Sequence, residues 1–139
     1  MGVIEKTVNR AWAAGFFDGE GSVIVSRARY GLLHSLHHSL AVTISQKDQT
    51  PLCWFRTHWG GYLQQSKRTG VWLWVVRARL AAQFLHDILP HVCCDRPRVQ
   101  LALEFQARKH PNNRPVSEDE LAIREAYKQA ISALAKRNR

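Results

Sequence analysis

The chain has 139 residues, 45% of them hydrophobic, enough for a domain with its own core and too many for a disordered tail. No run approaches the roughly 20 apolar residues of a membrane span, and Asn9, Arg10, Asp18 and Glu20 break the first apolar stretch, so neither a membrane partner nor a targeting signal is expected. Lysine and arginine number 20 against 11 acids, a formal +9, which favours a polyanionic partner through phosphate contacts and counterion release without separating DNA, RNA and an anionic surface.

In chain order, a helix is expected from Thr7 or Asn9 through Phe17. Ser22 to Tyr30 and Ser39 to Gln46 follow as strands, rich in branched residues with partial alternation, and His34 to His38 falls in their connection. Thr50 to Trp59 suits a helix, with Pro51 in its first turn and Gly60-Gly61 ending it. Tyr62 to Lys67 and Val71 to Arg77 read as strands joined by a Lys-Arg-Thr-Gly turn. Leu80 to Leu89 is a helix stopped by Pro90, and another begins at Pro97 and ends before His110. These elements give an α-β-β-α-β-β-α-α body over residues 1–109, an α+β domain with one antiparallel sheet. Residues 110–116 form a linker, and residues 117–139 carry a last helix that packs on the body. Ser117 with Glu120 suggests a capping box there, Ile123, Tyr127, Ala130, Ile131 and Leu134 share one face, and the tail Lys136-Arg137-Asn138-Arg139 is expected to be solvated.

Three cysteines, Cys53, Cys93 and Cys94, are expected to be reduced and buried; a zinc site with His91 matches no common ligand spacing. His34, His37 and His38 are more simply a polar strand edge than a metal cluster.

The stretch Ala13 to Gly21 (AAGFFDGEG) concentrates unusual features. Gly15 inside a helix costs about 1 kcal/mol relative to alanine, as a position does where another backbone must come close. Ala11, Ala14, Gly15 and Asp18 form a stripe of small residues suited to an identical helix, with Trp12 and Phe16 turned into the core. Gly19 and Gly21 mark a sharp exit. Asp18 and Glu20 stand at the helix C-terminus, where the macrodipole is already negative, and they are the only acids between Lys6 and Lys47. Such a pair calls for a hard divalent cation, Mg²⁺ being usual beside phosphates; for Asp18 alone, capping of local backbone is the better reading.

This stretch resembles the LAGLIDADG motif of homing endonucleases. The resemblance continues through Ser22-Val23-Ile24, through Ile44-Ser45-Gln46-Lys47-Asp48 and through Leu89-Pro90, covering roughly residues 9 to 109. It implies an αββαββα fold with a saddle-shaped antiparallel sheet in the major groove of double-stranded DNA, with extra C-terminal helices. A single motif implies a homodimer through the motif helix and a long pseudo-palindromic site. It implies an intracellular enzyme, bacterial or phage-encoded in cytoplasm or organellar, cutting DNA in intron homing or a similar element to leave 5′-phosphate and 3′-hydroxyl ends. Glu20, with the Gly19 backbone, falls at the metal site, where Mg²⁺ serves, Mn²⁺ substitutes and Ca²⁺ binds without turnover. Asp18 and Gly15 are structural in the motif. Gln46 matches a residue that orders water, and Lys47 beside it a phosphate contact. Asp95 stands where relatives commonly carry a catalytic lysine, which leaves Arg96 to stabilise charge without a proton-shuttle role. That departure is the ground for an alternative, a non-cleaving binder on the same scaffold, either an intron RNA maturase or a DNA-binding regulator.

Resemblance and alternation together select the residues that face DNA. They are Ile24, Ser26, Ala28 and Tyr30 on the first strand, His37, Ser39 and Thr43 on the second, and Gln64, Ser66, Trp72 and Trp74 on the third and fourth. Arg27, Arg29, Lys67 and Arg68 are expected at phosphates.

Overall fold

A computed structural model describes residues 2–109 and 116–135. Helix α1 spans Val3–Glu20, strands β1 and β2 Gly21–Tyr30 and Ser35–Gln46, and helix α2 Thr50–Trp59. Strands β3 and β4 span Tyr62–Gln65 and Trp72–Arg77; helix α3 follows as Ala78–Ile88, then a 3₁₀ turn at Leu89–His91 and helices α4 (Arg96–Ala107) and α5 (Glu118–Ala133). The order is the expected αββαββα with further C-terminal helices, and the four strands form one antiparallel sheet in the order β1-β2-β4-β3. Most of the predicted linker, residues 110–115, and the tail 136–139 lie outside the described residues. Among those described, no helix is long and apolar enough to cross a membrane.

One sheet face builds the core. Val23, Val25, Leu40, Val42, Ile44, Trp74 and Val76 alternate inward and meet Phe17, Phe55, Phe84, Leu85 and Phe105 from the helices. The register pairs Gly21 with Ile44 and Ala41 with Arg77, so inward residues of neighbouring strands stand side by side. Gly21 lets the chain turn from α1 into β1 against its own helix. A Cβ there would lie 2.3 Å from Phe17 Cδ1 and 2.9 Å from the Phe17 carbonyl oxygen. Gly61 is equally constrained, with φ +83° and a Cβ position 2.3 Å from the Val75 carbonyl oxygen.

Several expectations require correction. Strand β2 starts at Ser35, so of the predicted connection only His34 lies in the turn, at φ 50°, and the rest of it continues the ladder. Helix α1 begins at Val3 and includes Gly19 and Glu20, because Gly21 in extended geometry makes the exit alone. Trp12 does not enter the core: it is 47% exposed and meets Trp54 edge-on at 4.7 Å. Ala14 is fully buried beneath α1, so it cannot belong to a stripe open to another helix. Cys93 and Cys94 are exposed and Cys53 is half-buried, against the expectation of buried thiols, because the first two lie on the loop before α4 rather than on an inward face. Among the described residues no three His, Cys, Asp or Glu side chains gather as metal ligands.

Helix α5 is capped by Ser117, whose Oγ accepts from the Glu120 amide. Glu120 does not reach back to complete a capping box; its carboxylate pairs with Arg108 at 2.7 Å and Arg124 at 3.2 Å, and these bonds hold it below the usual range, Arg108 foremost. The inward side of α5 is therefore Arg124, Tyr127 and Ile131, whereas Ile123, Ala130 and Leu134 face out. The helix packs against α4 and the back of β1.

Candidate active site and nucleic-acid face

The two acids at the end of α1 have opposite environments. Asp18 is fully engaged: its Oδ2 accepts from the Cys93 amide at 2.7 Å, and its Oδ1 from the Cys94 and Asp95 amides at 3.2 and 3.1 Å. Those amides immediately precede α4, whose N-terminal dipole offsets the unfavourable dipole of α1. The carboxylate thus caps backbone 75 to 77 residues away rather than its own helix end. Glu20, two residues on, is exposed and makes no hydrogen bond or salt bridge among the described residues. No basic residue sits in the last turn of α1 to neutralise it.

That contrast is a test of metal fit. A hard cation needs free anionic oxygen, and the Glu20 carboxylate, beside the carbonyl end of a helix, offers it. One carboxylate is too few ligands for a closed site, so the donor set fits a metal completed by DNA oxygens, water or a second copy.

Gln46 and Lys47 lie at the same end of the sheet, since Gly21 pairs with Ile44 two residues before Gln46. Gln46 is half-buried and Lys47 exposed. Arg96 is exposed, with its Nη2 donating to the Val92 carbonyl at 2.9 Å and the Pro90 carbonyl at 3.5 Å. Asp95 and Arg98 form a pair with 2.9 Å between Arg98 Nη2 and Asp95 Oδ2, both side chains 2% exposed. The position where a lysine was expected is therefore spent on internal packing, and Arg98 is withdrawn from the surface.

The sheet face opposite the core carries Ile24, Ser26, Ala28 and Tyr30 on β1, His37, Ser39 and Thr43 on β2, and Gln64 on β3, as alternation required. Ser26 and Ser39 hydroxyls stand 3.4 Å apart across the pair. On β4 the parity is the reverse of the expected one. Trp74 is fully buried with its indole N–H donating to the Gly60 carbonyl at 2.8 Å, and Trp72 packs against the core beside it. The side of β4 turned away from the core is Leu73, Val75 and Arg77, of which Val75 is buried and Arg77 exposed, and Tyr62 joins it from β3. The run Trp-Leu-Trp-Val-Val is apolar throughout, so alternation had no contrast to work on; the polar residue at its end, Arg77, was the one sign of the true parity. Ser66 falls beyond β3 in the turn, where its Oγ accepts from the Thr69 amide. Arg68 is exposed in that turn.

Arg27 belongs to the helix side of the sheet, where it pairs with Glu125 of α5 at 3.1 Å. Glu125 also bonds buried His38 at 3.0 Å, and hydrogen bonds from Gln129 and His38, with the Arg27 charge, bring its carboxyl down to about 2. Lys109 donates to the His38 carbonyl, and burial lowers its pKa. Arg29 donates to the His34 carbonyl at 3.0 Å, steadying the hairpin tip. The long β1–β2 hairpin is thus braced from behind by α5.

No sequence-family model and no characterised protein sequence matches the chain. Solved structures do. The homing endonuclease I-CvuI, in complex with its target in the presence of 2 mM Ca, aligns with TM-score 0.81 and 20% identity over 96% of this chain and 85% of its own. Archaeal intron-encoded I-Vdi141I, complexed with DNA, aligns with TM-score 0.75 and 15% identity over 93% and 85%. The LAGLIDADG homing endonuclease I-SmaMI, bound to cleaved DNA, aligns with TM-score 0.74 and 15% identity over 94% of this chain and 44% of its own, so this chain spans just under half of it. The chain has the fold of the LAGLIDADG homing endonucleases, as the motif led us to expect.

Proposed function

We propose that the chain is a site-specific double-stranded DNA endonuclease, dependent on Mg²⁺ and active as a twofold-symmetric homodimer. The observation that carries this reading is the division of the two motif acids: Asp18 is consumed by three backbone amides while Glu20 keeps a free, exposed carboxylate. A chain needing only a fold has no use for an unneutralised acid at a helix C-terminus in a protein of net charge +9.

The chain's residues take distinct parts. Glu20, with the Gly19 end of α1, would hold the divalent ion, and Asp18 fixes that end against α4. A bound divalent ion supplies charge neutralisation at the scissile phosphate and acidifies water. Gln46 orients water from the neighbouring strand end, Lys47 contacts phosphate, and Arg96 offsets negative charge. The open sheet face lies in the major groove, where hydroxyl, imidazole and amide side chains bond base edges.

Dimerisation through α1 is supported by the face that helix leaves open. Ile4, Val8, Ala11, Trp12, Gly15 and Gly19 are exposed at helical spacing. A Cβ at Gly15 or Gly19 would meet nothing within 4 Å in its own chain, so these two glycines serve no packing need inside the monomer. Two symmetric copies then present like side chains to two half-sites.

The test is cleavage of a randomised duplex library with Mg²⁺ and with chelator, comparing wild type with Glu20→Gln. Metal-dependent cuts at one roughly symmetric site, abolished by Glu20→Gln with binding retained, are expected. Specific binding without any cut makes the chain the non-cleaving relative, and cleavage by Glu20→Gln at the wild-type rate removes Glu20 from the mechanism.

A further inference from the structure

The strand registers map distance from Glu20 along the open face. Ile24, Ala41 and Arg77 stand in one row across β1, β2 and β4. Rows farther out hold only small, aromatic or imidazole side chains, Ser26 with Ser39 and Ala28 with His37 among them. Among the described residues Arg77 is the only arginine or lysine on the open face of the paired strands; Arg27 and Arg29 alternate to the other side. It is exposed, and its row neighbour Ala41 is too short to cover it. Its Nη2 donates to the Tyr62 hydroxyl at 3.2 Å, which steadies the guanidinium while leaving its other donors open. Immediately after it, Ala78 takes φ 53° and ends the strand, so Arg77 closes the ladder without a flexible linker.

We propose that Arg77 is a specificity-determining residue that reads a guanine in each half-site through the O6 and N7 edge in the major groove. A guanidinium matches that pair of acceptors with two parallel hydrogen bonds, and no other side chain on this face can do so. The row meets β1 at Ile24, four residues on from Glu20, about 14 Å at ~3.4 Å per strand residue, and Arg77 lies two strands across from it, ~10 Å to the side at ~4.8 Å per strand. The guanine is therefore placed roughly four to five base pairs from the cut on either side of the dyad. This assignment rests on the reading of the open face as the DNA surface.

The experiment is binding selection from a randomised duplex library in Ca²⁺, so that no cleavage is required, with wild type, Arg77→Ala and Arg77→Gln, each checked by thermal melting. Wild type selects guanine at one symmetric pair of positions. Arg77→Ala keeps the rest of the consensus, loses that preference and binds the guanine-bearing site roughly 5- to 100-fold more weakly. Arg77→Gln shifts the preference from guanine toward adenine, a change that no merely structural role produces. An unchanged preference in both variants overturns the assignment. So does a uniform loss over all sequences with a shallower salt dependence, the mark of a phosphate contact. If wild type selects no duplex at all, the DNA reading itself falls, and the assignment with it.

Discussion

Replacing Asp18 and Glu20 one at a time separates architecture from chemistry within a single tripeptide. Asp18→Ala removes three amide hydrogen bonds to a charged acceptor, at 2.7, 3.2 and 3.1 Å. Bonds of this kind contribute about 1.5–3 kcal/mol each in a dry setting. Cys93 and Cys94 are exposed, so their amides recover water and the loss there falls below that range. Asp95 is 2% exposed, and its amide gives up a charged acceptor where water does not readily replace it. The expected destabilisation is about 3 kcal/mol, a fall in Tm on the order of 10 °C for a chain of this size. Glu20→Gln removes a charge with no partner and should stay within about 0.5 kcal/mol of wild type. Calorimetry on the two variants decides the matter, with DNA cleavage measured alongside. Asp18→Ala melting within about 2 °C of wild type, or Glu20→Gln falling as far as Asp18→Ala, refutes the division of roles.

Three further outcomes are expected. Gly15→Ala should raise the helix stability of the monomer by up to about 1 kcal/mol, since its Cβ meets nothing, yet weaken self-association in sedimentation experiments; dimerisation that is unchanged counts against α1 as the interface. Glu125, held near 2 by Gln129, His38 and Arg27, stabilises the fold fully above the ordinary value of 4.5 and loses that contribution as pH falls toward 2. Glu125→Gln should therefore flatten the dependence of Tm on pH over that acid window and leave it unchanged near neutrality, and an identical acid limb in both proteins would sink the argument. Cys93 and Cys94 should react with maleimide in the folded protein faster than Cys53, as mass mapping of the labelled peptides can tell.

The order of elements was legible because its signals are local: Pro51 opening α2, Gly60-Gly61 closing it, Ser117 before α5, and branched residues at period two in β1 and β2. The motif stood out for the same reason, since glycines and paired acids in a helix violate propensity and dipole preferences. What could not be read depended on distant partners. The amide donors to Asp18 lie 75 or more residues away, and the Asp95–Arg98 pair, though only three residues apart, is drawn inward by the distant elements that bury it. Trp72 and Trp74 read as DNA-facing in the sequence because β4 offers no polar contrast, whereas their large apolar area belongs inside. Ser35 to His38 resemble a loop because three of the four are polar, whereas they extend β2 along β1 past the end of its pairing with β4.

The two-sided sheet has a consequence for changing what the protein recognises. Because neighbours along a strand point to opposite sides, Ser26, Ser39, His37 and Arg77 can be exchanged without opening a cavity behind them. A library restricted to those positions should yield folded proteins at high frequency, whereas randomising the adjacent Val25, Leu40 or Val76 should yield mostly unfolded ones. Retargeting and folding are in this sense separately adjustable, with the boundary between them drawn by the parity of each strand.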